Sequence, residues 1–591
     1  MNPNKCGCAT VKTIDELQST IPDDCQKVSV LGYYEAGDGG HNDFIYRATG
    51  RSEVTTNFGT LIAGSDVDDY FAALNQTEVD VRQFGVSIGG NTDNTGLLNN
   101  MFASGVTKVN VPNGKIRCEG TVNLPNQITI TGEGDSSIFD FTYATISGII
   151  GGELVSNSES LLTQLPVLST DIKKGDQTIT FTSPPSISPN DWLTIYNPND
   201  FSWSGHRNYY RAGEYVQVQK VDANVVTIQG SSRDSYTAED VVVYQIATPA
   251  KINISGISIQ GPTVTGQQVY GLRLKHIVDS SIESVSSTAS YYGIGLSTGI
   301  NVTFTNCRAS DDLLATFGGD YGLTIGNSQS VKVIGGTFVA GRHAIAVGGS
   351  GFIGNVVNRD IKIIGATLIT TGGVQAADCH GNSENITFQN CTIQGGLILR
   401  GDKCNAFDNY ITSRNVNQPT ITFGEMKGGN FTISRNLIEA NANSPSRGCF
   451  FDMGGNSIKD LNAGTRDGGI ITISDNKLEY VGTEDTGFGM RLMNRGYVGT
   501  EKIHMRYKNN SLLSKYGAEI TYSVVVNALN GSFGTIVIDG NKHHAGGVRM
   551  INTGTNTIEH VDLDSNIFGG RRLISGAIPV TENNTTFESV V

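Results

Sequence analysis

The feature that most constrains the fold is a two-part sequence pattern that occurs five times between Tyr270 and Cys391. The first parts are Tyr270-Gly-Leu-Arg-Leu274, Tyr292-Gly-Ile-Gly-Leu296, Tyr321-Gly-Leu-Thr-Ile325, His343-Ala-Ile-Ala-Val347 and Gln375-Ala-Ala-Asp-Cys379. After a polar turn come Ser281-Ile-Glu-Ser-Val285, Val302-Thr-Phe-Thr-Asn306, Val331-Lys-Val-Ile-Gly335, Ile361-Lys-Ile-Ile-Gly365 and Ile386-Thr-Phe-Gln-Asn390. Self-similarity at a period of roughly 20–50 residues is typical of solenoids. Because apolar side chains alternate with polar or very small ones, the pattern predicts strands, arranged as coils of a parallel β-helix.

The composition suits a solenoid and argues against several classes of protein. The chain has 591 residues, of which 73 are glycine, and 17% are charged. A solenoid lengthens without enlarging its core, and its many short strands need tight turns, which glycine favours. The net charge is −14, and the lysines and arginines are scattered, which argues against a nucleic-acid partner. No stretch predicts a signal peptide or membrane insertion. We therefore expect that the protein matures in a reducing cytoplasm, or that it leaves the cell by a route other than secretion.

Asparagines recur at matching places after successive strands of the later repeats. They are Asn436, Asn476, Asn541 and Asn566. Stacked asparagines can hydrogen-bond to one another along a ladder of strands. We therefore predict a structural role for them.

Strand alternation separates the side chains of the repeats into an inner and an outer set. The inner set is predicted to contain Leu272/Leu274, Ile294/Leu296, Leu323/Ile325, Ile345/Val347, Ala377/Cys379 and Leu397/Leu399. The outer set is then Arg273/Lys275, Gly295/Ser297, Thr324/Gly326, Ala346/Gly348, Asp378/His380 and Ile398/Arg400, with Tyr291, Asp320 and Arg342 also outside. Three successive coils present small residues, which predicts a furrow edged by Asp378, His380 and Arg400. This furrow is the predicted substrate site.

Each of these residues also has a structural interpretation. By the same parity His343 points inward, as a core ring stacked with tyrosines, although a role in the site stays open. Asp320 and Arg342 could form a surface ion pair, which contributes little. Asp378 and His380 could equally form a surface bridge.

Glycoside hydrolysis needs a second carboxylate, about 5–5.5 Å away for retention or about 6.5–9.5 Å away for inversion. Asp378 has no obvious partner at that spacing, since Asp320 is two coils away. The candidates are Asp311 and Asp312, Glu384, or an acid from another subunit.

Residues 165–247 interrupt the repeat. Four alternating segments with hairpin-like spacing predict a small β insertion. It carries a loop rich in aromatic rings, which suit the apolar faces of sugars. Trp192 and Tyr215 are interpreted as packing residues, whereas Trp203, Tyr209 and Arg207 are candidates for ligand contact.

Two further stretches carry a resemblance to a known family. Gly32-Tyr-Tyr34 followed by Gly37-Asp-Gly-Gly-His-Asn-Asp-Phe44 resembles the small cap domain of bacteriophage tailspikes, with His41-Asn42 in place of two glycines. Val79-Asp-Val-Arg-Gln-Phe-Gly85, Gly89-Gly-Asn-Thr-Asp93-Asn-Thr95, Val109-Asn-Val-Pro-Asn-Gly-Lys115 and Ile128-Thr-Ile-Thr-Gly-Glu-Gly134 resemble the start of a pectate-lyase-like β-helix. Thr92 or Asp93 can cap a helix that ends near Ser104 and plugs the open end of the solenoid. We interpret Asp93 as a capping residue.

These observations predict an all-β chain. It is a right-handed parallel β-helix (solenoid) with a small N-terminal cap domain and a small β insertion domain. The predicted segments are an arm with one short helix (1–24), the cap (25–77), the start of the β-helix with its capping helix (78–164), the insertion (165–247), the main β-helix (248–572) and a short polar tail (573–591).

The resemblance is to the tailspike depolymerases of bacteriophages. It implies a homotrimer on the virion, attached to other tail or baseplate proteins, that binds and cuts bacterial capsular polysaccharide without a cofactor. Our first hypothesis is endo-acting hydrolysis, with Asp378 as the acid or base, His380 and Arg400 orienting it or binding acidic sugar, and His343, Arg342 and Tyr291 beside the substrate. The alternatives are a polysaccharide lyase with His380 as base and Arg342 or Arg400 neutralising a uronate, or a non-catalytic binding fibre. No tight acidic cluster predicts a metal site.

Overall fold

The structure is a computed structural model that describes most of the chain in two compact units. It describes residues 8–22, 26–144, 152–156, 162–198, 209–262, 269–288, 291–310, 320–413, 418–426, 430–441, 448–453, 469–493, 502–528, 532–552 and 557–587. Unit 1 comprises residues 1–160, 250–295 and 305–313, and unit 2 comprises residues 161–249, 296–304 and 314–591. No helix among the described residues is long and apolar enough to cross a membrane.

Unit 1 begins with a small α+β domain that matches the predicted cap. Its sheet contains, in spatial order, strands Cys8–Val11, Lys27–Val30, Asn42–Arg47, Tyr70–Ala73 and Leu61–Ala63. The helix Ile14–Gln18 buries Ile14 and Leu17 against this sheet, and a 3-10 helix spans Arg51–Glu53. The prediction of a loose arm is therefore wrong for residues 8–22. Their strand pairs in parallel with Lys27–Val30, and their helix supplies apolar side chains to the core.

The rest of unit 1 consists of the first coils of a parallel β-helix. It contains a 3-10 helix Val81–Phe84, the helix Thr95–Ala103, and strands Glu78–Asp80, Lys108–Val111, Gly114–Arg117, Val122–Leu124, Gln127–Gly132, Ser137–Asp140, Leu154–Ser156, Lys251–Ser255, Ser258–Gln260, Tyr270–Glu283, Ser286–Thr288 and Arg308–Ser310. The strand Tyr292–Thr305 has residues in both units. The helix buries Leu98 and Met101, as a capping helix should. Its N-cap is Asn94, and Asp93 Oδ1 accepts hydrogen bonds from the backbone N–H of Thr95 and of Glu119, both at 3.0 Å. Asp93 thus has a structural role, but the N-cap is Asn94 and not the predicted Thr92 or Asp93.

The coils of unit 2 contribute strands to three parallel sheets. The first sheet contains Tyr321–Gly326, His343–Gly348, Ala377–Cys379, Leu397–Gly401, Ile421–Met426, Gly448–Met453, Thr486–Met493, Ile520–Ala528, Gly547–Asn552 and Arg572–Ser575. The second contains Gln329–Ile334, Asn358–Ile364, Ser383–Gln389, Cys404–Phe407, Phe431–Ser434, Ile470–Ser474, Ile503–Lys508, Phe533–Asp539, Ile558–Asp564 and Val580–Asn583. The third contains Thr337–Ala340, Thr367–Thr370, Thr392–Gln394, Tyr410–Thr412, Leu437–Ala440, Lys477–Tyr480, Ser511–Ser514, Lys542–His543, Ile567–Phe568 and Thr586–Phe587.

The end of the chain differs from the predicted polar tail. Strands Arg572–Ser575, Val580–Asn583 and Thr586–Phe587 each pair with the preceding coil. The Phe587 ring stacks on Phe568 at a centroid distance of 5.5 Å. Residues 572–587 therefore form one more coil, which the sparse apolar residues of this stretch did not reveal.

The predicted asparagine ladder is confirmed. At the turn between the second and third sheets, each side-chain amide donates to the Oδ1 of the asparagine in the next coil, at 2.9–3.1 Å. The ladder runs through Asn409, Asn436, Asn476, Asn510, Asn541 and Asn566, so it contains two asparagines that the sequence pattern did not single out. All six are at most 3% exposed, so the ladder satisfies buried polar groups that would otherwise be costly.

The predicted insertion is a separate β domain within unit 2. Its strands are Leu162–Gln164, Thr178–Thr180, Trp192–Tyr196, Gly213–Asp222, Val225–Ile228 and Val242–Ile246, and their described pairings are antiparallel. They enclose their own apolar core, which includes Phe181, Ile195 and Val218. The domain begins slightly before residue 165. Tyr215 is buried, and its hydroxyl donates to the Asn327 carbonyl at 3.0 Å, in agreement with its interpretation as a packing residue.

Candidate functional site

The first sheet of unit 2 places Asp378 in a row of outward positions. The register aligns Thr324, Ala346, Asp378, Ile398, Thr422, Asp452 and Arg491 on successive strands. Asp378 is nevertheless only 2% exposed. It is buried because polar side chains cover it.

Three nitrogen-bearing side chains surround the Asp378 carboxylate. Oδ1 lies 3.2 Å from Arg400 Nη1, and Oδ2 lies 3.3 Å from His380 Nε2 and 3.4 Å from His343 Nε2. We call these four residues the Asp378 cluster. The sequence predicted all four as site residues, and the structure brings them together.

The surroundings of Asp378 determine its charge. Burial by itself raises the pKa of this carboxyl, but the positive charge of Arg400 and then the contact with His380 outweigh burial and hold the pKa well below its usual value. Asp378 is therefore a carboxylate at neutral pH, and it is poorly suited to donate a proton.

His380 connects the cluster to the insertion. The hydroxyl of Tyr210 lies 2.7 Å from His380 Nδ1, on the opposite side of the ring from Asp378. Gly348 makes room for this ring, since a Cβ at Gly348 would lie 2.7 Å from Nδ1. Tyr210, His380 and Asp378 thus form a continuous chain of polar contacts. The His380 ring also covers part of the predicted small-residue furrow.

His343 does not have the predicted inward orientation. Its ring reaches Asp378, and its Nδ1 donates to the Gln375 carbonyl at 2.6 Å. The prediction from strand alternation fails here because the small residue that follows His343, Ala344, occupies the inner corner of the coil. Ala344 and Ile345 are both fully buried in succession, which turns His343 outward. Burial lowers the pKa of His343, and Asp378 opposes this shift.

Two predicted residues lie next to His343: Arg342 precedes it in the chain, and Asp320 is on the neighbouring coil. The Asp320 carbonyl accepts hydrogen bonds from the backbone N–H of Arg342 at 3.0 Å and of His343 at 3.3 Å. Asp320 is 5% exposed and has a left-handed φ of 73°. The Arg342 guanidinium lies 5.6 Å from the centroid of the Tyr321 ring, which in turn lies 5.7 Å from the His343 ring.

Glu384 is engaged by other partners. Its carboxylate lies 3.1 Å from Arg359 Nε and 3.0 Å from Lys403 Nζ. Although burial raises the pKa of Glu384, Arg359 and Lys403 lower it overall. Glu384 thus belongs to a set of ion pairs that includes Arg359, which also contacts Asp234 and Glu214 of the insertion.

The remaining predicted residues lie elsewhere or outside the described part of the chain. Tyr209 is 41% exposed, and its ring packs edge-on against Tyr210 at 4.7 Å. Tyr291 belongs to unit 1, where its ring packs edge-on against Tyr292 at 4.5 Å. Asp312 and Trp203, like Asp311 and Arg207, lie outside the described residues.

Sequence reasoning missed Tyr210 and Gln375. Tyr210 was noted only as one ring of an aromatic loop, and its partner His380 is 170 residues away in the chain. Gln375 occupies the position of His343 in the next repeat, and its side-chain amide donates to Thr422 Oγ1 at 3.3 Å. Among the described residues, no group of three or more His, Cys, Asp or Glu side chains could hold a metal ion.

Comparisons with known proteins agree with this architecture. Residues 287–506 match the family model described as Gp49, pectin lyase-like, and residues 161–246 match the tailspike protein-like Ig-like domain. A search of curated proteins finds no match.

Three solved structures share the fold. The tailspike gp61 of Pseudomonas phage phi297 is 23% identical, with a TM-score of 0.68 over 79% of this chain and 80% of that one. The tailspike gp49 of Pseudomonas phage LKA1 is 23% identical, with a TM-score of 0.66 over 85% and 83%. The Gp54 tailspike of Acinetobacter baumannii bacteriophage AP22, solved in complex with A. baumannii capsular saccharide, is 19% identical, with a TM-score of 0.63 over 86% and 76%.

The predicted fold class, an all-β right-handed parallel β-helix, is confirmed, and so is the resemblance on which it partly rested. The chain thus carries a Gp49-type pectin lyase-like region and a tailspike Ig-like domain, and its fold is similar to that of phage tailspikes.

Proposed function

We propose that this protein is a phage tailspike that binds and depolymerises a bacterial capsular or surface polysaccharide at the Asp378 cluster. It acts on the virion as a homotrimer, attached to other tail proteins. Support comes from the tailspike fold, from the Ig-like insertion, and from the capsular saccharide bound to the AP22 tailspike. The observation that carries the proposal is the contact chain from Tyr210 through His380 to Asp378.

The contacts from Tyr210 through His380 to Asp378 are arranged like those of a catalytic triad. A carboxylate that accepts from one ring nitrogen of a histidine leaves the other nitrogen free to take a proton from a hydroxyl. Here Asp378 faces His380 Nε2, and the Tyr210 hydroxyl faces Nδ1. His380 can therefore accept the phenolic proton, which makes the Tyr210 oxygen a base.

The geometry favours β-elimination on a uronic acid. Glycoside hydrolysis uses a carboxylic acid with a raised pKa, whereas Asp378 has the opposite character. In elimination the Tyr210 oxygen removes the proton α to the sugar carboxylate. A carbon–carbon double bond forms, the glycosidic C–O bond breaks, and the departing oxygen takes up the proton that His380 accepted from Tyr210. Arg400 and Arg342 supply positive charge for the developing enolate.

Hydrolysis is the second candidate, and Asp320 favours it. This nearly buried acid lies on the coil next to His343, and its backbone carbonyl is held by the Arg342 and His343 N–H groups. It could supply the second carboxylate that Asp378 needs.

The chemistry of the products tests the proposal. Capsular polysaccharides from a panel of bacterial strains, with and without uronic acid, are incubated with the protein. We expect shortened chains whose ends absorb in the ultraviolet band of an unsaturated uronate. New reducing ends without that absorbance would instead mean hydrolysis, and a panel in which no polymer is shortened would favour a binding fibre.

Tyr210→Phe should lower the turnover of cleavage by about 10²–10⁴-fold, because it removes the proton-transferring hydroxyl and keeps the ring. Steady-state kinetics on the cleaved polysaccharide measure the effect. Tyr215→Phe is the matched control, since it removes a buried tyrosine hydroxyl of the same insertion that donates to the Asn327 carbonyl and does not contact the Asp378 cluster in the described part of the chain. Wild-type turnover in Tyr210→Phe would rule out Tyr210 as the base.

A further inference from the structure

A second polar cluster lies on the coils of unit 1. Tyr270 and Tyr292 stack face to face, with ring centroids 4.3 Å apart and planes 15° from parallel. The Arg273 guanidinium lies 4.8 Å from the Tyr270 centroid, and its Nη1 lies 3.3 Å from Glu153 Oε1. Lys275 follows two residues later on the same side of its strand. We call Glu153, Tyr270, Arg273, Lys275 and Tyr292 the Tyr270 wall.

The Tyr270 wall has an excess of positive charge. Arg273 and Lys275 bring two cations together, with Glu153 as the acid that contacts Arg273. Their mutual repulsion shows in Lys275, whose pKa is lowered by burial and then by Arg273. Burial raises the pKa of Glu153, and Arg273 opposes this shift. The chain as a whole has a net charge of −14, so this local excess of positive charge is unusual in it. Such an excess favours the binding of an anionic ligand.

One polar atom of the wall has no hydrogen-bond partner among the described residues. Glu153 is 2% exposed, and its Oε2 makes no hydrogen bond within the described part of the chain. A buried polar oxygen without a partner is costly, so a native structure usually satisfies it on binding a ligand or water. A sugar hydroxyl could donate to this oxygen.

The tyrosines supply the apolar part of a sugar site. Tyr270 lies between Arg273 and Tyr292, and Tyr270, Tyr291 and Tyr292 are all half-buried. The rings of Tyr291 and Tyr292 pack edge to face. Half-exposed aromatic faces pack well against the C–H groups of a pyranose ring. Arginine beside them can bind a carboxylate with two parallel hydrogen bonds.

We infer that the Tyr270 wall is a binding site for a carboxylate-bearing sugar. Arg273 and Lys275 bind the carboxylate, Glu153 accepts from a hydroxyl, and Tyr292 and Tyr291 contact the ring. The inference rests on the proposed function only in taking a polysaccharide as the ligand. The site binds and does not cleave, so it does not depend on the chemistry at Asp378.

The test uses sodium glucuronate as the probe and methyl glucoside as its neutral counterpart, with saturation-transfer NMR on the full chain. We expect a glucuronate signal in the wild type that falls at least fivefold in the double variant Arg273→Gln, Lys275→Gln. The signal should be unchanged in Arg308→Gln, which removes an exposed arginine paired with Asp135. Equal wild-type signals from glucuronate and glucoside, or a full signal in the double variant, would overturn the inference.

A second variant guards against loss of folding. Glu153→Gln keeps the size of the side chain and removes the charge that competes with the ligand for Arg273. We expect it to bind glucuronate severalfold more tightly, an effect that a damaged fold would not produce. Unchanged or weaker binding would contradict the site. A glucuronate signal that is lost only in Asp378→Asn would place the acidic sugar at the Asp378 cluster, which overturns this inference and leaves the proposed function standing.

Discussion

Asp378→Asn is expected to lower the turnover of polysaccharide cleavage about 10³-fold or more, while binding of the polymer persists. The amide cannot hold His380 in the tautomer that accepts a proton from Tyr210, and loss of this orienting charge is costly in catalytic triads. The variant should also unfold at a lower temperature, because Arg400 and two imidazoles lose their shared carboxylate. Steady-state kinetics and a separate binding assay measure the two effects.

The same sheet offers a matched control for this variant. Asp452 lies in the same outward row, is 3% exposed, and forms a two-point ion pair with Arg491, at 2.7 and 3.1 Å. Asp452→Asn should therefore lose comparable stability but keep its turnover. If Asp378→Asn cleaves as fast as Asp452→Asn does, the active site is not at the Asp378 cluster.

Arg359→Ala should cost about 3–5 kcal/mol in the free energy that holds the insertion in place, because it leaves partly buried carboxylates without their cation. Arg359 is 1% exposed and contacts Asp234 and Glu214 of the insertion as well as Glu384 of the coils. Burial lowers its pKa, but the surrounding acids outweigh burial and raise it, so the guanidinium stays charged. Native-state hydrogen exchange of amides in the insertion measures the loss.

We expect a second effect of Arg359→Ala on cleavage. Arg359 helps to hold the insertion, and the insertion presents Tyr210 to His380, so turnover should fall although Arg359 does not touch the cluster. Arg435→Ala is the control, since Arg435 forms an exposed ion pair with Asp408 and should change neither quantity measurably. Unaltered exchange in the insertion would show that the Arg359 ion pairs do not hold it.

The periodic part of the sequence was sufficient to predict the coils and the proximity of several residues of the candidate site. Alternation placed Asp378 and His380 on one face, with Arg400 on the next coil, and the structure brings these residues together. Alternation failed for His343, because Ala344 turns the chain at the corner and reverses the parity. A strict two-residue alternation does not account for a corner at which two successive residues are both buried.

The contacts made by the insertion could not be predicted from local pattern. The Tyr210–His380 contact joins residues 170 positions apart, and Arg359 gives no sign in the sequence that acids of the insertion enclose it. The sequence repeat predicts how neighbouring coils pair with one another, but it does not predict how the insertion packs against them. The low pKa of Asp378 could not be predicted from the sequence either, since it depends on three side chains that come together only in the folded chain.

The asparagine ladder has a consequence for how such chains can change in length. Each amide is satisfied by an identical group in the next coil, so deleting one complete turn of the solenoid would rejoin two asparagines and restore the same bonds. Deleting a single residue within a turn would shift every later asparagine out of line. Length variation in descendants of this chain should therefore accumulate in whole turns or in the loops between strands, and rarely inside the strands themselves.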